Sequence, residues 1–158
     1  MIEYIKKDIT TVDCGIIAHG VNCHGVMGSG VALAIRNRWP VVFEMYKETC
    51  YANAMWKTKL LGHCEIVSIP TNPLFDQLFV ANLYTQLNYG KDGKVYASTY
   101  AIDKSMQDVM SFCEHEQLPL YISRIGCGLG GLNWEVDVLP IVARHAAFTG
   151  VSVYVCDL

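Results

Sequence analysis

The sequence predicts a three-layer α/β fold: a central, largely parallel or mixed sheet of about six strands, with helices packed on both faces. Short β-rich or wholly apolar runs alternate with longer stretches of helical periodicity, the order expected of strands joined by crossover helices. The strand runs are almost unbroken in apolar residues, as in a sheet covered on both sides. The chain has 158 residues, of which 52% are hydrophobic and 17% charged. A domain of that length buries about 70% of the surface its unfolded chain exposes, enough for one substantial core. No repeat, linker or low-complexity tract interrupts it, so one domain over 1–158 is expected.

The strand candidates are Ile2–Ile5, Gly15–Ala18, Cys64–Ile69, Leu78–Leu83, Leu120–Ser123 and Val151–Val155, set between Gly, Pro, Asn and Asp residues that break extended structure. The helix candidates are Gly30–Arg38, Val41–Ala52, Thr99–Gln117 and Trp134–Phe148. In the third, Ile102, Met106, Val109, Met110 and Cys113 recur at helical spacing and stack on one face. Pro40 separates the first two, because its ring cannot donate to a helix ladder and disfavours a helical residue before it. Asn133 has the form of an N-cap, and Glu135 and Asp137 place negative charge near the start of the last helix.

Composition excludes several functions. Lys and Arg number 12 against 15 Asp and Glu, a net charge of −3, so the basic footprint of a bulk nucleic-acid binder is missing. The N-terminus has no basic-then-apolar leader and no apolar run reaches the ~20 residues that span a bilayer, so no membrane partner and a cytoplasmic location are expected. Cysteines at 14, 23, 50, 64, 113, 127 and 156 form an odd set without a Cys-x-x-Cys pair. They are read as reduced thiols in the core, not as a disulfide framework or a zinc site.

Two segments carry chemistry. Ile16 to Leu33 runs from a strand through Gly20, Gly25, Gly28 and Ser29 into the helix candidate that opens with Gly30 and Val31. Tyr121 to Trp134 repeats that layout with Gly126, Cys127, Gly128, Leu129, Gly130 and Gly131. Glycines let main-chain N–H groups approach a ligand, and a helix N-terminus favours an anion. In a parallel sheet such loops leave the C-terminal edge, where ligands bind. Two loops there suit two phosphates. The chain lacks Gly-Lys-Ser/Thr after either loop, and Gly-x-Gly-x-x-Gly fails at Leu33, so the loops match neither a P-loop nor a dinucleotide fingerprint. A diphosphate held by backbone amides, as in a nucleotide sugar or ADP-ribose, is the expected ligand.

These residues resemble the macrodomains, which bind ADP-ribose and its derivatives. Lys7-Asp8-Ile9 is similar to the family's early Gly-Asp-Ile, with Lys in place of Gly. That likeness implies that Asp8 accepts from the adenine amine beside Ile9. Ala18 to Ala32 resembles the loop around the distal ribose, with Asn22 as its asparagine, and Arg124 to Gly131 resembles the phosphate loop. Val153-Tyr154-Val155 is similar to the terminal strand, which places Tyr154 beside the adenine. Within the family, His19 to Gly25 and Ala81 to Gln86 look most like the ADP-ribose 1″-phosphate phosphatases. A branch that frees glutamate from ADP-ribose uses a lysine and an aspartate where this sequence has Gln86 and Gly130.

The resemblance implies hydrolysis of ADP-ribose 1″-phosphate by positioned water. Binding of ADP-ribose without catalysis, with an ADP-ribosylated protein as partner, and hydrolysis of O-acetyl-ADP-ribose or an ADP-ribosyl ester are the alternatives. Catalytic candidates are His19, Asn22 and His24. Each imidazole can orient water or protonate a leaving oxygen, or be a hydrogen-bonded structural residue instead. Asn22 can donate to one ribose hydroxyl and accept from another, and Gln86 can bond ribose or phosphate. No acidic cluster suits Mg²⁺, so neither metal nor cofactor is expected. Tyr89, Tyr96 and Tyr100 lie around the Gly- and Lys-containing stretch Asn88 to Lys94, for which a loop near the pocket is the alternative to their preferred reading as half-buried aromatics; Cys127 is read as a packing residue, since no base or cation lies near it in sequence.

Overall fold

The computed structural model describes residues 1–71 and 77–158. Its strands are β1 (Ile2–Lys6), β2 (Gly15–Val21), β3 (Cys64–Ile69), β4 (Leu78–Tyr84), β5 (Leu120–Ile122) and β6 (Val153–Asp157). Its helices are α1 (Gly30–Arg38), α2 (Pro40–Ala52), α3 (Thr99–Glu116) and α4 (Leu139–Thr149). The sheet order is β1-β6-β5-β2-β4-β3. Every pairing is parallel except β3 with β4.

Side chains alternate across this sheet and divide the core in two. Ile16, Ala18, Ala81, Leu83 and Ile122 pack under α3 and α4, against Ile102, Met106 and Val142. Ile17, Val21, Val80 and Tyr84 pack under α1 and α2, against Ile35, Val42 and Tyr46. The α3 stripe expected from periodicity is buried as a unit. Among the described residues no helix is long and apolar enough to cross a membrane.

The departures from the expected elements have local causes. Strand β2 continues past Ala18 through His19 and Gly20. It stays paired with β4 there, and a Cβ on Gly20 would lie 2.6 Å from Thr85 Oγ1, a contact that only glycine avoids. The last helix begins as a π turn over Trp134–Val138 before α4, because Pro140 cannot complete the ladder of an α-helix running through it. Its N-cap is as expected: Asn133 Oδ1 accepts from Val136 N at 2.9 Å. Strand β6 is Val153–Asp157, two residues later than expected, with buried Val151 ahead of it.

Because β2, β4 and β5 run in one direction, the chain leaves all three at the same edge. The segments 22–29, 85–98 and 123–133 therefore converge at the middle of the sheet.

Candidate functional site

A cleft of about 700 Å³ opens between these three segments. His19 and Gly20 line it from β2, while Asn22, Gly28, Ser29, Gly30 and Val31 line it from the segment leading into α1. Gln86 lines it after β4, and Gly126, Gly128, Leu129 and Gly130 after β5. Asp8, Ile9, His24, Cys127 and Tyr154 are not among its lining residues. Lys91 and Arg124 are, and no carboxylate is.

The two glycine loops present unused donors. Ser29 caps α1 without a side-chain hydrogen bond. Among the described residues the main-chain N–H groups of Gly30, Val31 and Ala32 have no partner, nor do those of Gly128, Leu129 and Gly130. Positive φ at Gly126 (+78°) turns the second loop back on itself, and Leu132 N closes it on Gly126 O at 2.9 Å. Two sets of three N–H groups thus belong to loops lining one cleft, an arrangement that holds anionic oxygens without a lysine.

Asn22 is 7% exposed and more fully engaged than its sequence suggests. Its Oδ1 accepts from His24 N at 2.8 Å and from the Tyr46 hydroxyl at 2.7 Å, and its Nδ2 donates to Val26 O at 2.8 Å. Both lone pairs of the amide oxygen are taken, so Asn22 offers a ligand one N–H and no acceptor. Tyr46 OH also collects the N–H groups of Gly25 and Val26, each at 3.1 Å. Burial pushes its phenol further above the ordinary range, so it remains a neutral donor.

His19 is 1% exposed. Its Nε2 lies 2.6 Å from Asn82 Oδ1, while Nδ1 is the buried side-chain nitrogen or oxygen without a partner among the described residues. Burial lowers its pKa to about 4, opposed by the Asn82 hydrogen bond. At neutral pH the ring is uncharged, and a carbonyl oxygen beside Nε2 requires the single proton there. Nδ1 is therefore a bare acceptor in a residue lining the cleft.

His24 faces elsewhere. Nδ1 lies 3.0 Å from Lys57 Nζ and Nε2 lies 2.8 Å from Asn88 Oδ1, so both ring nitrogens are occupied outside the cleft. Asp8 caps the short helical turn Ile9–Thr11, accepting from Thr10 N at 2.9 Å and Thr10 Oγ1 at 2.8 Å through Oδ1. These bonds hold its carboxyl below the ordinary range. Ile9 is buried in the core. Cys127 donates to Ile125 O at 3.3 Å, and burial raises its thiol pKa, which matches a packing role. Tyr154 departs furthest from expectation. The later start of β6 puts it near the strand's first residue, stacked on Tyr121 with 5.0 Å between ring centroids. There it lines a pocket of about 340 Å³ around the N-terminal ends of β5 and β6.

Tyr89, expected to be an ordinary aromatic, lines the cleft and meets the His24 ring edge-on at 6.0 Å. Arg124 is fixed by two hydrogen bonds of 3.0 Å to the carboxylate of Asp157 and lies over Tyr4 and Trp134. Asn82 lies within the Ala81 to Gln86 resemblance, which implies no role for it, and Glu65 carries no motif. Yet Glu65 shares the inward-facing phase of β3 with Val67 and Ile69, and a carboxylate at a core-facing strand position is a readable signal.

No protein-family model matches the chain. An ADP-ribose 1″-phosphate phosphatase of Scheffersomyces stipitis is 32% identical over 155 residues, covering 85% of this chain and 90% of the relative. A DNA ADP-ribosyl glycohydrolase of Mycobacterium tuberculosis is 27% identical over 136 residues, but the match takes in 85% of this chain and 36% of that longer protein. Among solved structures, a macrodomain protein from Streptomyces coelicolor superimposes with a TM-score of 0.78 at 25% identity, covering 100% of this chain and 99% of the other. The fold, with a cleft at the C-terminal edge of its sheet, is the α/β fold of that macrodomain structure. The chain belongs to the macrodomain family.

Proposed function

We propose that this protein hydrolyses ADP-ribose 1″-phosphate to ADP-ribose and phosphate. The observation that carries the proposal is the pair of unpartnered N–H triads in loops lining one cleft that is also lined by His19, whose buried Nδ1 has no partner among the described residues. The triads suit a diphosphate, and the imidazole suits a hydroxyl or a water. The likeness to proteins named as ADP-ribose 1″-phosphate phosphatases points to the phosphate ester as the bond cleaved. Water attacks phosphorus, the bond from phosphorus to the C1″ oxygen breaks, and the water proton ends on that departing oxygen.

In this reading His19 Nδ1 accepts from the attacking water and orients it. A group with a pKa of about 4 holds a proton poorly at neutral pH, which favours orientation over proton storage. The free N–H of Asn22 and the Gln86 side chain bind the distal ribose, and Lys91 adds positive charge. Asp8 Oδ2, without a hydrogen bond among the described residues, accepts from the adenine amine where the chain leaves β1. His24 belongs to the rim.

Phosphate release from ADP-ribose 1″-phosphate by the purified chain, beside Asn22→Ala, tests the proposal. Release that the variant loses by at least tenfold supports it. Tight ADP-ribose binding without release favours recognition of free or protein-linked ADP-ribose, and release from O-acetyl-ADP-ribose alone favours ester hydrolysis.

A further inference from the structure

We propose that Asn82 and Glu65 are positioning residues that fix the tautomer of His19, a residue lining the cleft, and so keep its Nδ1 a bare acceptor; the inference rests on the phosphatase reading for its consequence, not for its geometry. The three side chains form a chain across the sheet. His19 and Asn82 are register partners on adjacent parallel strands. Asn82 and Glu65 are register partners across the antiparallel pair β3–β4. Asn82 is fully buried and both ends of its amide are engaged: Oδ1 lies 2.6 Å from His19 Nε2, and Nδ2 donates to Glu65 Oε1 at 3.0 Å.

The carboxyl group at the end of this chain determines the rest. Glu65 also accepts from Tyr84 OH at 3.1 Å, through the same oxygen that Asn82 uses, and from Thr49 Oγ1 through the other. An acceptor so placed can be faced by the N–H side of the Asn82 amide and not by its oxygen. The amide is thereby prevented from turning over, and its oxygen must point at His19. An imidazole whose Nε2 faces an oxygen at 2.6 Å needs its proton on that nitrogen, since otherwise two lone pairs would meet at a buried contact with no hydrogen between them. The neutral ring carries only one such proton, which leaves Nδ1 bare. Two residues outside any glycine loop thus determine the hydrogen-bonding character of His19, which lines the cleft.

Nitrogen-15 NMR of the His19 ring in the full chain at neutral pH tests this directly. A protonated Nε2 and a bare Nδ1 are expected, and a proton on Nδ1 overturns the inference whatever the activity. Asn82→Leu and Glu65→Ala should give a mixture of the two tautomers. Both should lower kcat for ADP-ribose 1″-phosphate at least tenfold while the ADP-ribose Kd stays within about threefold. Variants that keep the wild-type tautomer, or that keep kcat after losing it, also overturn the inference. A wild-type protein with the expected tautomer but no phosphatase activity would remove the proposed reaction and leave the positioning of His19 standing.

Discussion

The Tyr46 hydroxyl lies 2.7 Å from Asn22 Oδ1, joining a residue of α2 to the first glycine loop across the interior of the protein. The same oxygen receives two main-chain N–H groups of that loop, so one phenol holds the turn in shape from beneath.

Tyr46→Phe is accordingly expected to destabilise the fold by about 1–3 kcal/mol, the usual penalty for leaving buried donors and acceptors unmatched. Urea denaturation measures the loss. Phosphate release should fall as well, because Asn22 loses the partner that orients its amide.

The two histidines should separate cleanly. His19→Ala removes the acceptor at the cleft and is expected to lower turnover at least a hundredfold with little change in ADP-ribose affinity. His24→Ala leaves turnover within about threefold, since its ring nitrogens are engaged with Lys57 and Asn88. Side-by-side steady-state kinetics decide the point, and equal losses would count against the assignment of His24 to the rim.

Acid should destabilise the protein through His19. Its folded pKa, about 4, lies below its ordinary value of 6.5, so between these values the unfolded chain binds a proton that the folded chain does not. Stability therefore declines as pH falls from 6.5 and the contribution is fully lost near pH 4, a change on the order of 3 kcal/mol. Denaturation midpoints measured across this range should show a slope that His19→Gln reduces.

Gly130→Ala is expected to weaken ADP-ribose binding more than tenfold. The added Cβ would stand 2.7 Å from the carbonyl oxygen of Gly126, so the loop must open and carry its N–H groups out of place. Isothermal titration calorimetry with ADP-ribose reads the effect. Gly128→Ala, which meets nothing within 4 Å, is the matched control.

Much of this architecture is legible in residue patterns, for reasons that differ by element. The α3 stripe from Ile102 to Cys113 and the apolar run of β2 advertise themselves, because burial on one or two faces dictates periodicity. The glycine loops are legible because few other residues allow their backbone geometry. Tyr154 illustrates the opposite case: Val151 is buried like a strand residue yet precedes β6, and a two-residue shift places the ring near the N-terminal end of the strand. Glu65 and Asn82 lie far from the glycine loops in sequence and meet His19 through strand register alone, which a linear pattern does not display.

The pairing of β1 with β6 has a consequence for biosynthesis. β1 is an edge strand whose partner is the last strand to be made. Until Val153 to Asp157 has been made, Ile2 to Lys6 has no strand to pair with, and the nascent chain carries it unpaired. Asp8 sits directly after β1, so the end of the site proposed for adenine takes shape only after β6 has docked.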